Sequence, residues 1–112
     1  MNFGDIVPVD FGTPIGSAAG FVRPAVVIVA DAFLRYRPST VLVVPLTSTP
    51  RTFPSHIAIE PDRANHLDVP SCALVEQLRA VAVERCGQPV GNVGPGVGHQ
   101  LIDVLAMIVG VP

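Results

Sequence analysis

With seven basic and nine acidic side chains among 112 residues, the chain carries a formal charge of −2; it has room for one domain around one core and no global field to draw in a polyanion. Every base is an arginine and none is a lysine, which excludes a Walker lysine, a Schiff-base lysine and a polylysine tail. The hydrophobic fraction of 49% is high, yet charged or turn residues interrupt each apolar run well before the roughly 18 residues that a membrane span needs.

So much apolar side chain in so small a body predicts burial against a second copy, hence a homo-oligomer. The opening Met1-Asn2-Phe3-Gly4-Asp5 has neither the basic stretch nor the apolar run of a signal peptide, so a cytoplasmic location is expected. Cys72 and Cys86 lie 14 positions apart with no metal-ligand spacing, and in a reducing compartment they read as buried thiols acting as small hydrophobes.

In chain order, residues 5–11 read as a first strand through Ile6, Val7 and Val9, with Pro8 marking an edge or bulge because it cannot donate to a ladder. Residues 12–20 hold too much Gly, Pro and small side chain for regular structure and read as a mobile loop. Residues 24–30 and 41–46 are aliphatic runs, the pattern of strands covered on both faces, and are expected at the barrel's centre. Between them residues 31–37 predict a helical turn with Asp31 as its cap and Pro38 ending it. Residues 55–59 alternate as a further strand, 61–65 offer a second helical turn, and 73–83 read as one long strand or a bent pair. After the turn-rich residues 87–96, roughly 96–109 predict a C-terminal helix. Its Val97, Leu101, Ile102, Val104, Leu105, Met107, Ile108 and Val109 cover nearly the whole circumference, which predicts burial on more than one side. Five or six short strands and one terminal helix indicate a mainly β, α+β domain over residues 1–112: a small β-barrel with an appended helix.

Several groups resemble sites without supplying chemistry. Gly94-Pro95-Gly96-Val97-Gly98 has no lysine after it and no strong parallel strand before it, against a phosphate loop. His56, His66 and His99 lack a mutual spacing suited to zinc, so neither a metal nor another cofactor is expected. Glu60, Asp62 and Asp68 read as a solvated face, and Ser17, Ser48 and Ser71 have no Gly-x-Ser-x-Gly elbow.

Three polar clusters at strand ends are more informative. Arg23 stands where the small-residue loop enters a buried strand, Thr47-Ser48-Thr49 ends the next one, and Glu76-Gln77-Leu78-Arg79 interrupts an apolar stretch. Singly, these suit a structural ion pair, a turn and a barrel salt bridge; together they could converge on one rim. Arginine suits a local phosphate site, since its planar fork stays charged and grips with two hydrogen bonds.

These residues also resemble the signature of the MazF/PemK toxins, in order along almost the whole chain. Gly4-Asp5-Ile6 with Val9-Asp10 is similar to the family's opening strand, and Gly16-Ser17, with Ser17 six residues before Arg23-Pro24-Ala25-Val26-Val27, to its Gly-Ser loop and Arg-Pro-Val-Val strand. Val44-Pro45-Leu46-Thr47-Ser48 resembles Val-Pro-x-Thr-Ser, Glu76-Gln77-Leu78-Arg79 resembles Asp/Glu-Gln-Ile-Arg, and Asn92-Val93 with the terminal helix resembles the closing pattern. Ala18-Ala19 stand where many members carry Glu-Gln, Val7-Pro8 replaces a common aromatic pair, and Phe21-Val22 precede Arg23 where small or polar residues are usual.

The resemblance implies an SH3-like barrel, a homodimer, metal-independent and sequence-selective cleavage of single-stranded RNA by its own 2′-hydroxyl, and neutralisation by an antitoxin whose tail occupies the RNA groove. It implies catalytic roles for Arg23 and Thr47, with Glu76 as candidate general base. Ser17, Ser48, Gln77 and Arg79 would contact phosphate or base edges, and Phe53 would stack on an unpaired base. Two other readings stay open: a barrel without catalysis that binds RNA or antitoxin, and a toxin of similar barrel that poisons DNA gyrase by protein contact.

Overall fold

In the computed structural model, which describes residues 1–18, 20–49 and 51–111, the apolar runs pair into one antiparallel sheet. Its strands are β1 (Asp5–Asp10), β2 (Val22–Val27), β3 (Thr40–Thr47), β4 (His56–Ile59), β5 (Ser71–Leu74), β6 (Arg79–Ala82) and β7 (Gly91–Asn92), with helices α1 (Asp31–Leu34) and α2 (Gly94–Val109). The order is β4-β5-β3-β2-β1-β7, and β6 also pairs with β3. This is the mainly β half-barrel with a C-terminal helix that the sequence predicts.

Unbroken aliphatic runs occupy the centre because both faces are covered. Side chains alternate along a strand, so Ile6, Val26, Val44 and Leu46 share one face and pack with Ile57, Ile59, Ala73, Val75 and Leu101. Val7, Val9, Ala25, Val27, Val41 and Val43 share the other, with Phe11, Val29 and Val81. Each such side chain taken fully out of water contributes about 1.5–3 kcal/mol.

The long stretch after residue 70 is the bent pair. Leu46 faces Ala73 before a 3-10 turn and Val43 faces Arg79 after it, so three steps along β3 match six along its partner, three more than an uninterrupted ladder. The extra residues are the turn Val75–Gln77 itself, which acts as a large bulge and pushes Glu76 outward. On the opposite edge of β3, pairing with β2 runs from Val43 to Pro45 and no further, while Leu46 and Thr47 keep their bonds to β5. Pro45 has no N–H for a ladder.

Motifs at the two ends of the chain meet. Asp5 pairs with Asn92 in the β1–β7 register, and Asn92 Nδ2 donates to Asp5 Oδ1 at 3.1 Å and to the Phe3 carbonyl at 3.0 Å. Asn92 Oδ1 also accepts from the Gly94 amide at 2.7 Å, so one side chain ties β1 to the start of α2. The Gly94-Pro95-Gly96 run is that helix start, with Pro at its first turn.

Three expectations need correction. Asp31 does not cap α1, which stops at Leu34 and has no side-chain cap; its Oδ1 accepts from the Phe3 amide at 2.7 Å instead, a long-range bond replacing a local one. Residues 61–65 form a turn rather than a helix, because Asp62 Oδ1 draws in the amides of Ala64 and Asn65. Within one protomer α2 is covered on one side: Gly98 and Leu101 are buried, whereas Ile102, Met107, Ile108 and Val109 are exposed. Cys72 is buried as expected and Cys86 half-buried, both as free thiols.

Candidate functional site

The β2–β3 register sets Ala25 opposite Pro45 and Val27 opposite Val43. Arg23 and Thr47 lie two residues beyond the last pair on their own strands, where Arg23 faces Val9 and Thr47 faces Cys72, and alternation puts both on the face of residues 25, 27, 43 and 45. The ladder has ended there, and the strand ends open into a groove of about 610 Å³ lined by Arg23, Thr47, Ser48 and Thr49. Half-buried Arg23 donates from Nε to the Gly20 carbonyl at 3.2 Å, and its two terminal nitrogens have no partner among the described residues. Thr47 Oγ1 accepts from the Thr49 amide at 3.2 Å, which leaves its O–H as a donor. A cation with two free donor groups and a hydroxyl thus share one open space.

The far wall comes from the loop after β4: His66, Leu67, Asp68 and Val69 line the same groove. Its anchor is Asn65, 1% exposed. Asn65 Oδ1 accepts from the amides of Asp62 (3.0 Å) and Leu67 (2.9 Å), and Nδ2 donates to the Glu60 carbonyl at 2.8 Å. Gly91 makes this docking possible, since a Cβ there would lie 2.2 Å from the Asn65 carbonyl oxygen. The near wall carries Phe21, an exposed aromatic. Among the described residues three non-glycines hold a positive φ, Phe21, Arg37 and His66; two of the three line this groove, and such backbone concentrates at functional sites.

A smaller recess of about 300 Å³ shares Thr47, Ser48, Thr49 and Ser71 with the groove and adds Arg51, Glu60 and Cys72. Cys72 sits directly opposite Thr47 in the β3–β5 register. Burial pushes its thiol up, only partly offset by the Arg51 charge, so it stays protonated and is no nucleophile.

The other site residues read from the sequence fall into two further groups. Gln77 Nε2 donates to the Ser17 carbonyl at 3.1 Å, binding the Gly-Ser loop to the 3-10 turn; Ala19 of the Ala18-Ala19 pair lies outside the described residues. Arg79 stacks its guanidinium 4.6 Å from the Phe11 ring centroid and donates to the Phe11 carbonyl at 2.9 Å. Glu76 accepts from His56 Nε2 at 2.7 Å, and the Phe53 ring lies 5.6 Å from that of His56. Burial raises the Glu76 carboxyl, but the hydrogen bond from His56 leads several contributions that together hold it below the usual glutamate range. Neither Glu76 nor Phe53 lines the groove of Arg23 and Thr47.

Sequence reasoning therefore places Arg23, Thr47 and Ser48 together and misses Phe21, His66 and Asp68. The sequence signal for Phe21 is a large aromatic immediately before the arginine strand; His66 and Asp68 carry none, because only the fold of the loop brings them there. Among the described residues no group of three or more His, Cys, Asp or Glu is placed to hold a metal ion, and no helix is long and apolar enough to cross a membrane.

The chain is 32% identical over 112 residues to endoribonuclease MazF9 of Mycobacterium tuberculosis, across 96% of this chain and 94% of that protein. Its fold is similar to a crystal structure of MazF from Deinococcus radiodurans, with a TM-score of 0.82 at 22% identity over 98% of this chain and 96% of that one. It also resembles a mycobacterial endoribonuclease solved in complex with its cognate antitoxin, with a TM-score of 0.79 at 20% identity over 100% and 97% of the two chains. Residues 2–109 match the family described as PemK-like, MazF-like toxin of type II toxin-antitoxin system, and the chain belongs to that family.

Proposed function

We propose that this chain, a toxin-family endoribonuclease, cleaves single-stranded RNA without a metal ion at the groove between Arg23 and Thr47. The observation that carries the reading is that these two side chains line one groove. When the RNA's 2′-oxygen attacks the neighbouring phosphorus, negative charge grows on the non-bridging oxygens. Arg23 spans them with its free donors, and the Thr47 hydroxyl adds a hydrogen bond that strengthens as the charge develops. The attack leaves a 2′,3′-cyclic phosphate and a 5′-hydroxyl, and it needs no protein nucleophile.

Glu76 is the proposed proton acceptor. Its carboxylate, held ionised by the hydrogen bond from His56, stands outside the groove's lining, so the proton reaches it through a water. Ser48 meets phosphate within the groove, while Ser17, Gln77 and Arg79 meet the strand where it leaves the groove. Phe21 offers a face for one unpaired base, and Phe53, beside His56, for another.

An antitoxin is the protein partner in this reading, its tail competing with RNA for the same groove; a mycobacterial endoribonuclease of similar fold has been solved in complex with its cognate antitoxin. A second copy covers the outward side of α2, whose Ile102, Met107, Ile108 and Val109 are exposed in one protomer, and residues 1–112 act as one toxin domain in a cytoplasmic homodimer.

The test incubates the purified protein with mixed RNA in excess EDTA and maps new 5′ ends. Cleavage that survives chelation, yields 5′-hydroxyl termini and disappears in Arg23→Ala is the expected result. Intact RNA from a folded wild-type protein would overturn it and favour a binding role.

A further inference from the structure

We propose that His66 is a further catalytic residue of this groove, the general acid that protonates the leaving 5′-oxygen; the inference rests on the RNA-cleavage reading above. His66 lines the same space as Arg23 and Thr47 but comes from the opposite wall. Its side chain is exposed, and among the described residues no hydrogen bond or ion pair occupies it. An in-line displacement requires a donor on the side away from the attacking oxygen, and a free imidazole lining the groove has the chemistry to supply it.

The backbone that carries this imidazole is held in place. His66 has φ +56°, a left-handed conformation that an L-residue adopts at a cost unless its surroundings impose it. Here they impose it: Asn65 is buried immediately before His66, the Leu67 amide immediately after it is bound by Asn65 Oδ1, and the His66 amide itself donates to the Asp62 carbonyl at 3.3 Å. Gly91 lets this turn pack in closely, since a Cβ there would meet the Asn65 backbone. The charged groups that share the groove with His66 are Arg23 from β2 and Asp68 in its own loop, while Thr47, Ser48 and Thr49 from β3 and Ser71 from β5 are neutral; Asp62 and Arg63 precede it in the turn.

The step balances. The 2′-oxygen forms a bond to phosphorus as its proton passes to the carboxylate acceptor. The bond from phosphorus to the 5′-oxygen breaks as the His66 imidazolium gives that oxygen one ring proton. The products are the cyclic phosphate, a 5′-hydroxyl and neutral His66, which regains its proton from solvent as the acceptor releases one.

His66→Gly tests this cleanly, because glycine fits the left-handed backbone and removes only the imidazole. The variant should keep the wild-type Tm and cleave ordinary RNA about 10²–10⁴-fold more slowly. On a substrate whose bridging 5′-oxygen is replaced by sulfur, a leaving group that departs without a proton, it should cleave within about threefold of wild type, since the acid's contribution vanishes there. Arg23→Ala should stay slow on both substrates, because charge on the phosphorane is unchanged by the leaving group. Wild-type speed of His66→Gly on ordinary RNA, or an equal deficit on both substrates, overturns the assignment to His66 alone. Intact RNA with the wild-type protein overturns the cleavage reading and this inference with it.

Discussion

His56 donates from Nε2 to the Glu76 carboxylate across 2.7 Å, joining a nearly buried side chain in β4 to a partly exposed one in the 3-10 turn. Glu76 is held below its ordinary value in the folded state, so this bond favours folding at pH above the unfolded glutamate value of about 4.3. The advantage fades as pH falls through the lower folded value, where the carboxylate must protonate. Glu76→Gln should therefore lose less stability on acidification than wild type, read as urea midpoints between about pH 3 and 6. Parallel acid limbs in the two proteins would show that the pair contributes nothing to folding.

Arg23 and Thr47 should respond differently to conservative change. Arg23→Lys keeps the charge but loses the planar fork, so its cleavage rate should stay near that of Arg23→Ala, about 10²–10³ below wild type. Thr47→Val removes one hydroxyl donor while filling the same space, and should lower kcat with little change in KM. Single-turnover rates on a defined oligonucleotide separate these cases; equal rates for Arg23→Lys and wild type would mean that charge alone suffices.

Asn65→Ala leaves two amides and one carbonyl without their partners in a site that is 1% exposed. A loss of about 2–4 kcal/mol is expected, since each buried unpaired group costs about 1–3 kcal/mol. Gly91→Ala should cost about 3 kcal/mol or more by overpacking, because its Cβ would meet the Asn65 backbone at 2.2 Å. Chemical denaturation measures both. Either variant, where folded, should also cut more slowly, as the wall carrying His66 shifts.

Arg79→Met tests the stacked contact with Phe11. The guanidinium has a ring beneath it at 4.6 Å and a carbonyl at 2.9 Å, so its removal should destabilise the fold by about 1–3 kcal/mol. If Arg79 serves RNA alone, the Tm will be unmoved while affinity drops.

The centre of the fold is legible in the sequence because its strands bury both faces: Val26 and Val27, or Val43 and Val44, must each find a core on opposite sides. The meeting of Arg23 and Thr47 in one groove is legible too, through motifs whose spacing fits two adjacent strands. The wall opposite them is not. His66 reaches the groove through a turn folded around Asn65, whose partners Asp62, Glu60 and Leu67 look in the sequence like ordinary loop residues. Asp31 misleads for a related reason: a carboxylate at a helix start suits a local cap, and only the fold reveals that Phe3, 28 positions away, claims it.

β3 is paired along both edges, with β2 on one side and β6 then β5 on the other. Only around Val43 and Val44 is it flanked closely on both edges, so the amides there should take up deuterium last, near the rate of global opening, while the ends of α2 exchange early. The hydroxyl at the end of β3 stands just beyond that doubly flanked stretch, where β5 alone holds the strand, so a partner gripping it would close the edge that β2 leaves open.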